Sequence, residues 1–174
     1  MQHAIIEFKA RCSDHDRIQK LLREKNARFV GSDHQIDTYF RVPEGRLKLR
    51  EGNIENSLIF YSRPDAAGPK QSDVTMSLLQ PGNDVRAVLA KALQVLVTVD
   101  KQREIYFIEN VKIHLDQVAG LGPFVEVEAI GLPEAAAELQ AQCNAFLREF
   151  DLYPDDFIAG SYSDLLLEQM TASR

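Results

Sequence analysis

Charge of a single sign recurs at every second residue in several short segments. Arg46, Lys48 and Arg50 alternate with Leu47 and Leu49, and Lys101 and Arg103 are again two apart. Glu126 and Glu128 alternate with Val125 and Val127. Glu7 and Lys9 share one face of a segment whose other face carries Ile6 and Phe8, while Lys112, His114 and Asp116 alternate with Val111, Ile113 and Leu115. A period of two sends successive side chains to opposite faces of a strand. A solvated sheet face usually mixes signs; here the cations and the anions are sorted by strand. Lys9, Arg46, Lys48, Arg50, Arg63, Lys101, Arg103 and Lys112 suit a polyanion with several phosphoryl groups, because Arg offers a two-pronged fork and Lys a compact charge. Carboxylates beside them, Glu7, Glu126 and Glu128 with Asp116 nearby, suit Mg²⁺ or Mn²⁺, since magnesium takes one or two carboxylates and leaves its other positions to water and substrate phosphates. The implied guest is a nucleoside or organic triphosphate with a divalent metal.

Those side chains converge only if the strands close on themselves. Period-two segments run from Ala4 to Arg11, Gln35 to Val42, Arg46 to Glu51, Ser57 to Arg63, Ser72 to Leu79, Val99 to Ile108, Val111 to Leu115 and Phe124 to Ile130. Helical spacing appears after Ser13, an N-cap for a helix to about Lys25, and after Asn83, which leads Val85, Val88, Leu89, Ala92, Leu93 and Leu96. Pro133 opens a third helix with Leu139, Cys143, Phe146, Leu147 and Phe150 as its stripe. Ser163 opens a short C-terminal helix. Eight strands with few helices between them predict an α+β fold with an antiparallel sheet. The amphipathic helices would cover the apolar halves of the strands from outside. The charged halves would then line the lumen of a closed barrel, where charges must pair or bind something.

With 174 residues, 45% apolar and 26% charged, the chain can bury a real core and is too apolar for a disordered polymer. We expect one domain over residues 1–170. A net charge of −6 argues against non-specific nucleic-acid binding. No window approaches eighteen consecutive apolar residues, and Met1-Gln2-His3-Ala4 lacks a secretory layout. Cys12 and Cys143 form no metal-type pair, which fits a reduced, cytoplasmic protein without membrane partners. A homodimer is compatible with all of this.

Five stretches together resemble the CYTH family, the triphosphate tunnel metalloenzymes that include class IV adenylate cyclases and thiamine triphosphatases. They are Glu7 to Arg11, Gln35 to Phe40, Gly45 to Glu51, Ile113 to Val118 with Gly120-Leu121-Gly122, and Phe124 to Glu128. The run from Ile113 through Glu128 looks most like the cyclase branch. The resemblance implies a tunnel of about eight antiparallel strands with a polar lumen. It carries Glu7, Glu126 and Glu128 over as metal-binding carboxylates. It carries Lys9, Lys48, Arg50, Arg63, Lys101 and Arg103 over as phosphate-binding cations. Glu7, Lys9, Lys112 and Asp116 are the implied catalytic set. One departure stands out: the family's Glu-x-Glu-x-Lys signature reads Ile5-Ile6-Glu7-Phe8-Lys9 here, so Ile5 replaces a carboxylate that helps build the metal site.

The reading is then class IV adenylate cyclase-like conversion of ATP to cyclic AMP and pyrophosphate with Mg²⁺ or Mn²⁺. Alternatives are a thiamine triphosphatase or inorganic tripolyphosphatase, and a non-catalytic triphosphate-binding protein, which the loss at Ile5 keeps open. Duller roles are expected elsewhere. His114, without a second His nearby, reads as a structural hydrogen-bonding residue. Asp37 reads as a turn terminator or an Arg partner. Gly120 and Gly122 permit a tight turn. Ser161-Tyr162-Ser163-Asp164 reads as the cap of the last helix, closing one tunnel mouth.

Overall fold

A computed structural model describes residues 4–172. Eight strands, β1 (Ala4–Arg11), β2 (Arg28–Phe40), β3 (Arg46–Gly52), β4 (Ser57–Ser62), β5 (Lys70–Leu78), β6 (Val95–Ile108), β7 (Val111–Val118) and β8 (Gly122–Gly131), close into a barrel in the order β1-β5-β4-β3-β2-β6-β7-β8. Every neighbouring pair is antiparallel. The closing seam is β1 on β8, in register from Ala4 opposite Gly131 to Arg11 opposite Phe124. Among the described residues, helix α1 (His15–Glu24) joins β1 to β2, α2 (Val85–Ala92) joins β5 to β6, and α3 (Ala136–Glu149) and α4 (Tyr162–Ala172) follow β8.

The principal apolar core sits outside the barrel. Ile6, Phe8 and Ala10 of β1, Ile113 and Leu115 of β7, and Val125, Val127 and Ala129 of β8 point outward and are buried. They are covered by Ile18 and Leu22 of α1, by Leu139, Cys143 and Phe146 of α3, and by Phe150 just beyond α3. Burying each large side chain of this set stabilises the fold by about 1.5–3 kcal/mol. Covering one face of these strands commits their other face, with all its charge, to the lumen.

Several elements differ from the periodic reading. Asp14, not Ser13, caps α1, its carboxylate accepting from the Arg17 amide at 3.0 Å. β2 begins at Arg28, seven residues before Gln35, and absorbs a register shift between Phe29 and Gly31. β6 begins at Val95, so Leu96 belongs to a strand; the run Val95-Leu96-Val97-Thr98-Val99 is rich in β-branched residues, which favour a strand over a helix. α2 is correspondingly short, buries none of its residues and leaves Val88 63% exposed, so it does not cover the barrel. Gly120 and Gly122 take φ of 78° and 95° in the β7–β8 turn, a region where side chains with a Cβ are strained. Among the described residues no helix is long and apolar enough to cross a membrane.

Candidate active site in the barrel lumen

A cavity of about 590 Å³ occupies the lumen. Its wall contains Glu7 and Lys9 of β1, Lys48 and Arg50 of β3, Arg63 after β4, Lys101 and Arg103 of β6, Lys112 of β7, and Glu126 and Glu128 of β8. Ten of the residues singled out from the sequence thus converge on one space. Asp116 is fully buried behind Arg103 and is not part of the cavity wall. Arg46 stays at the barrel edge, donating to Asp65 and Asp164 at 2.9 Å each.

Three carboxylate-centred clusters hold the cations. Asp37 of β2 is 1% exposed and accepts from Arg50 through both oxygens at 2.9 Å, from Lys101 at 2.8 Å and from Lys48 at 3.3 Å. Burial alone would raise its pKa; Arg50, Lys101 and Lys48 more than reverse this and hold the carboxyl well below its usual range. Glu126 accepts from Lys9 at 2.7 Å and Arg103 at 2.7 Å, and its Oε2 lies 3.1 Å from His114 Nδ1. Burial again opposes ionisation, and Lys9 and Arg103 overcome it. Glu7 accepts from Arg63, and from the Ser72 hydroxyl at 3.1 Å. Behind these, Asp116 takes two hydrogen bonds of 2.6 Å from Arg103 and one of 2.6 Å from the Tyr162 hydroxyl. Lys101 has the opposite fate: burial, then Arg50, Arg103 and Lys48, outweigh Asp37 and bring its ammonium down to about 7.

Residues that the sequence did not reveal complete the wall. Glu55, in the β3–β4 connection, accepts from Arg50 at 3.0 Å and from Lys112 at 2.5 Å. It is placed by Asp33, whose carboxylate accepts from the Ile54 and Glu55 amides at 2.8 and 3.0 Å. A Cβ on Gly52 would come within 2.7 Å of that same carboxylate, so the connection passes Asp33 only as glycine. Asp37, read as a turn terminator or an Arg partner, lies within β2 and is the latter, with Lys48 and Lys101 sharing it. Tyr162, expected at a tunnel mouth, reaches further in: its ring lies 4.3 Å beneath the Lys9 ammonium. Tyr162, Phe124, Val118, Val99, Tyr39 and Tyr61 form a buried cluster at that end, backed by Leu165 and Leu166 of α4. The wall away from Phe124 is different. Ile5 pairs with Ile130, and Val74, Met76, Leu78 and Phe107 line the same cavity.

The donor set for a metal is not quite the expected one. Ligand atoms of His114, Glu126 and Glu128 lie within 4.8 Å of one another, whereas Glu7 is turned to Arg63 and Ser72. Glu7 nevertheless stands directly opposite Glu128 in the β1–β8 register.

The lumen wall holds seven Lys and Arg side chains against five carboxylates, a formal excess of two positive charges inside a chain of net charge −6. A concave, partly dry wall of this kind attracts polyanions. The chain resembles a Methanocaldococcus jannaschii protein named "Putative adenylate cyclase", at 23% identity over 92% of this chain and 97% of that one. Its fold matches a Vibrio parahaemolyticus structure of the same name (TM-score 0.78, 20% identity, 95% and 99% of the two chains). It also matches a Hippeastrum protein described as having a dominant triphosphatase activity (TM-score 0.65, 15% identity, 97% and 96%). The CYTH domain profile matches residues 3–162, which is nearly the whole chain, and the protein therefore belongs to the CYTH domain family.

Proposed function

We propose that this protein is a divalent-metal-dependent enzyme acting on an organic triphosphate, with class IV adenylate cyclase-like conversion of ATP to cyclic AMP and pyrophosphate as its reaction. The observation that carries this reading is the cationic excess of a lumen whose other wall is apolar. A cavity of about 590 Å³ is within the ordinary range for a small-molecule site. The phosphates would lie among Lys9, Arg63, Lys101 and Arg103, and the organic group would lie toward Ile5, Ile130 and Phe107. An inorganic polyphosphate would leave that apolar wall unused.

In the resting protein, carboxylates occupy the cations. Entry of a triphosphate lets Lys9 and Arg103 exchange Glu126 for phosphoryl oxygens, and lets Arg63 leave Glu7. The freed Glu126 and Glu7, with Glu128, are the carboxylates that would hold Mg²⁺ or Mn²⁺. Their convergence suits a hard divalent ion, and when bound it would neutralise charge growing on the departing pyrophosphate. Asp116 and Tyr162 keep Arg103 in place, so that the guanidinium meets the phosphates pre-oriented. Lys112, held by Glu55, would meet the phosphate nearest the organic group. The ribose 3′-hydroxyl would then attack the α-phosphorus, its O–P bond forming as the bond to pyrophosphate breaks and its proton passing to water.

Hydrolysis of the terminal phosphate is the second reading. It is favoured by the triphosphatase activity described for the Hippeastrum relative. Incubating the protein with ATP, thiamine triphosphate or tripolyphosphate and Mg²⁺ or Mn²⁺ separates the readings. Cyclic AMP with pyrophosphate supports the cyclase, free phosphate without a cyclic product supports hydrolysis, and tight binding without turnover reduces the protein to a triphosphate binder.

A further inference from the structure

Five carboxylates line the cavity, and four of them are claimed by cations: Glu7 by Arg63, Asp37 by Arg50 and its two lysines, Glu55 by Lys112, and Glu126 by Lys9 and Arg103. Glu128 is the exception. Among the described residues it makes no hydrogen bond or ion pair. Its cross-strand neighbour Lys112 turns instead to Glu55. A carboxylate left unpaired in a cavity with surplus cations is unusual, because a neighbouring cation normally closes on it.

A second group is left open beside it. His114 is 1% exposed. Its Nδ1 faces Glu126 Oε2 at 3.1 Å, and an ionised carboxylate can only accept, so Nδ1 carries the proton of that bond. In the neutral ring Nε2 is then a bare lone pair. It is buried and has no hydrogen-bond partner. An imidazole whose other nitrogen donates to a carboxylate is the arrangement in which histidine binds metals, since the donated bond fixes the tautomer and raises the basicity of the free nitrogen.

We infer that His114 is a metal ligand through Nε2, forming with Glu128 a mixed nitrogen–oxygen site that prefers a first-row transition ion to Mg²⁺, while Glu126 orients the ring from its other nitrogen. The inference rests on the metal-dependent reading above and deepens it. Ile5 removes a carboxylate from one side of the site, and His114, on the far side of Glu126, supplies a donor of a different kind. Mg²⁺ is served best by oxygen alone, while imidazole favours softer divalent ions.

Mn²⁺ is a suitable probe because it is paramagnetic and because nitrogen coordination is visible in its electron spin-echo modulation. Mn²⁺ and, separately, Mg²⁺ are titrated into the wild-type protein and into His114→Gln, each shown by thermal melting to be folded. The wild-type Mn²⁺ complex is expected to show ¹⁴N modulation from a bound imidazole. His114→Gln is expected to abolish it and to weaken Mn²⁺ binding by about 10–100-fold, the range seen when a metal-site histidine arrangement is disturbed. Mg²⁺ affinity should move far less. Glu128→Gln is expected to weaken both ions. Mn²⁺ bound without ¹⁴N modulation, and weakened by Glu128→Gln but not by His114→Gln, overturns the histidine assignment while leaving a carboxylate metal site intact. Absence of any stoichiometric Mn²⁺ binding overturns both the histidine assignment and the metal-dependent reading, and titration of tripolyphosphate in EDTA then shows whether the anion site stands without it.

Discussion

Arg103 and Asp116 stand opposite each other on β6 and β7 and are joined by two hydrogen bonds of 2.6 Å, with neither side chain more than 3% exposed. The pair shares its outer members with the lumen: Arg103 also donates to Glu126, and Asp116 also accepts from Tyr162. Removing one member of such a buried pair strands the other. Asp116→Asn should therefore lower stability by about 3–5 kcal/mol and the melting temperature by on the order of 10 °C. Tripolyphosphate should restore part of the loss by giving Arg103 a new anion. Thermal melts with and without the anion check both effects.

Lys101 titrates near neutrality, its ammonium brought down to about 7 by burial and by Arg50, Arg103 and Lys48 against the pull of Asp37. Only the protonated form binds phosphate. Between pH 6 and 8 the wild-type protein should lose tripolyphosphate affinity relative to Lys101→Arg, which stays charged throughout. Because the folded pKa is below the 10.5 of an ordinary lysine, the unfolded chain holds more protons in the window between them, so this group makes stability rise with pH from about 7 to 10. Calorimetric titrations of both proteins across that range provide the test.

Asp37 restrains three cations at once. Asp37→Asn should destabilise the fold by about 3–5 kcal/mol, because Arg50, Lys101 and Lys48 lose their shared counter-charge. It should leave tripolyphosphate binding equal to or tighter than wild type, since the same cations are released toward the lumen. Chemical denaturation gives the first quantity and calorimetry the second.

The outer core should be separable from the site. Leu139 of α3 is 2% exposed and packs on Gly131 of β8. Leu139→Ala should cost about 2–5 kcal/mol in denaturant unfolding with little change in anion affinity at temperatures where the barrel is folded.

Strands β1, β3, β7 and β8 were legible because charge and hydrocarbon alternate without interruption, as in Arg46 to Arg50 and Val125 to Glu128. That alternation picked out seven of the residues that line the cavity, Glu7, Lys9, Lys48, Arg50, Lys112, Glu126 and Glu128. The start of β2 was not legible, because Phe29 and Val30 are exposed and a register shift breaks the period at Gly31. Glu55 carries no periodic signal at all; its place comes from two amide hydrogen bonds to Asp33, twenty-two residues earlier. Helical spacing in α2 shows an apolar stripe but not whether a surface exists to bury it, and here none does. Tyr162 could be assigned to the tunnel mouth, but its bond to Asp116 depends on how deeply α4 seats. His114 was read from the absence of a second histidine, whereas two glutamates are what it meets.

The central claim is that a triphosphate binds inside the barrel. Arg63 tests it most directly, because it lies on the lumen wall after β4, outside the α1 and α3 core. Calorimetric titration of ATP into wild-type protein and Arg63→Met, both folded by thermal melting, should show one site per chain weakened by about 10–100-fold in the variant, the worth of one charge-assisted hydrogen bond. Equal affinity in the two proteins, or binding that survives Arg63→Met but is lost when exterior cations such as Arg86 are removed, would contradict a lumenal site.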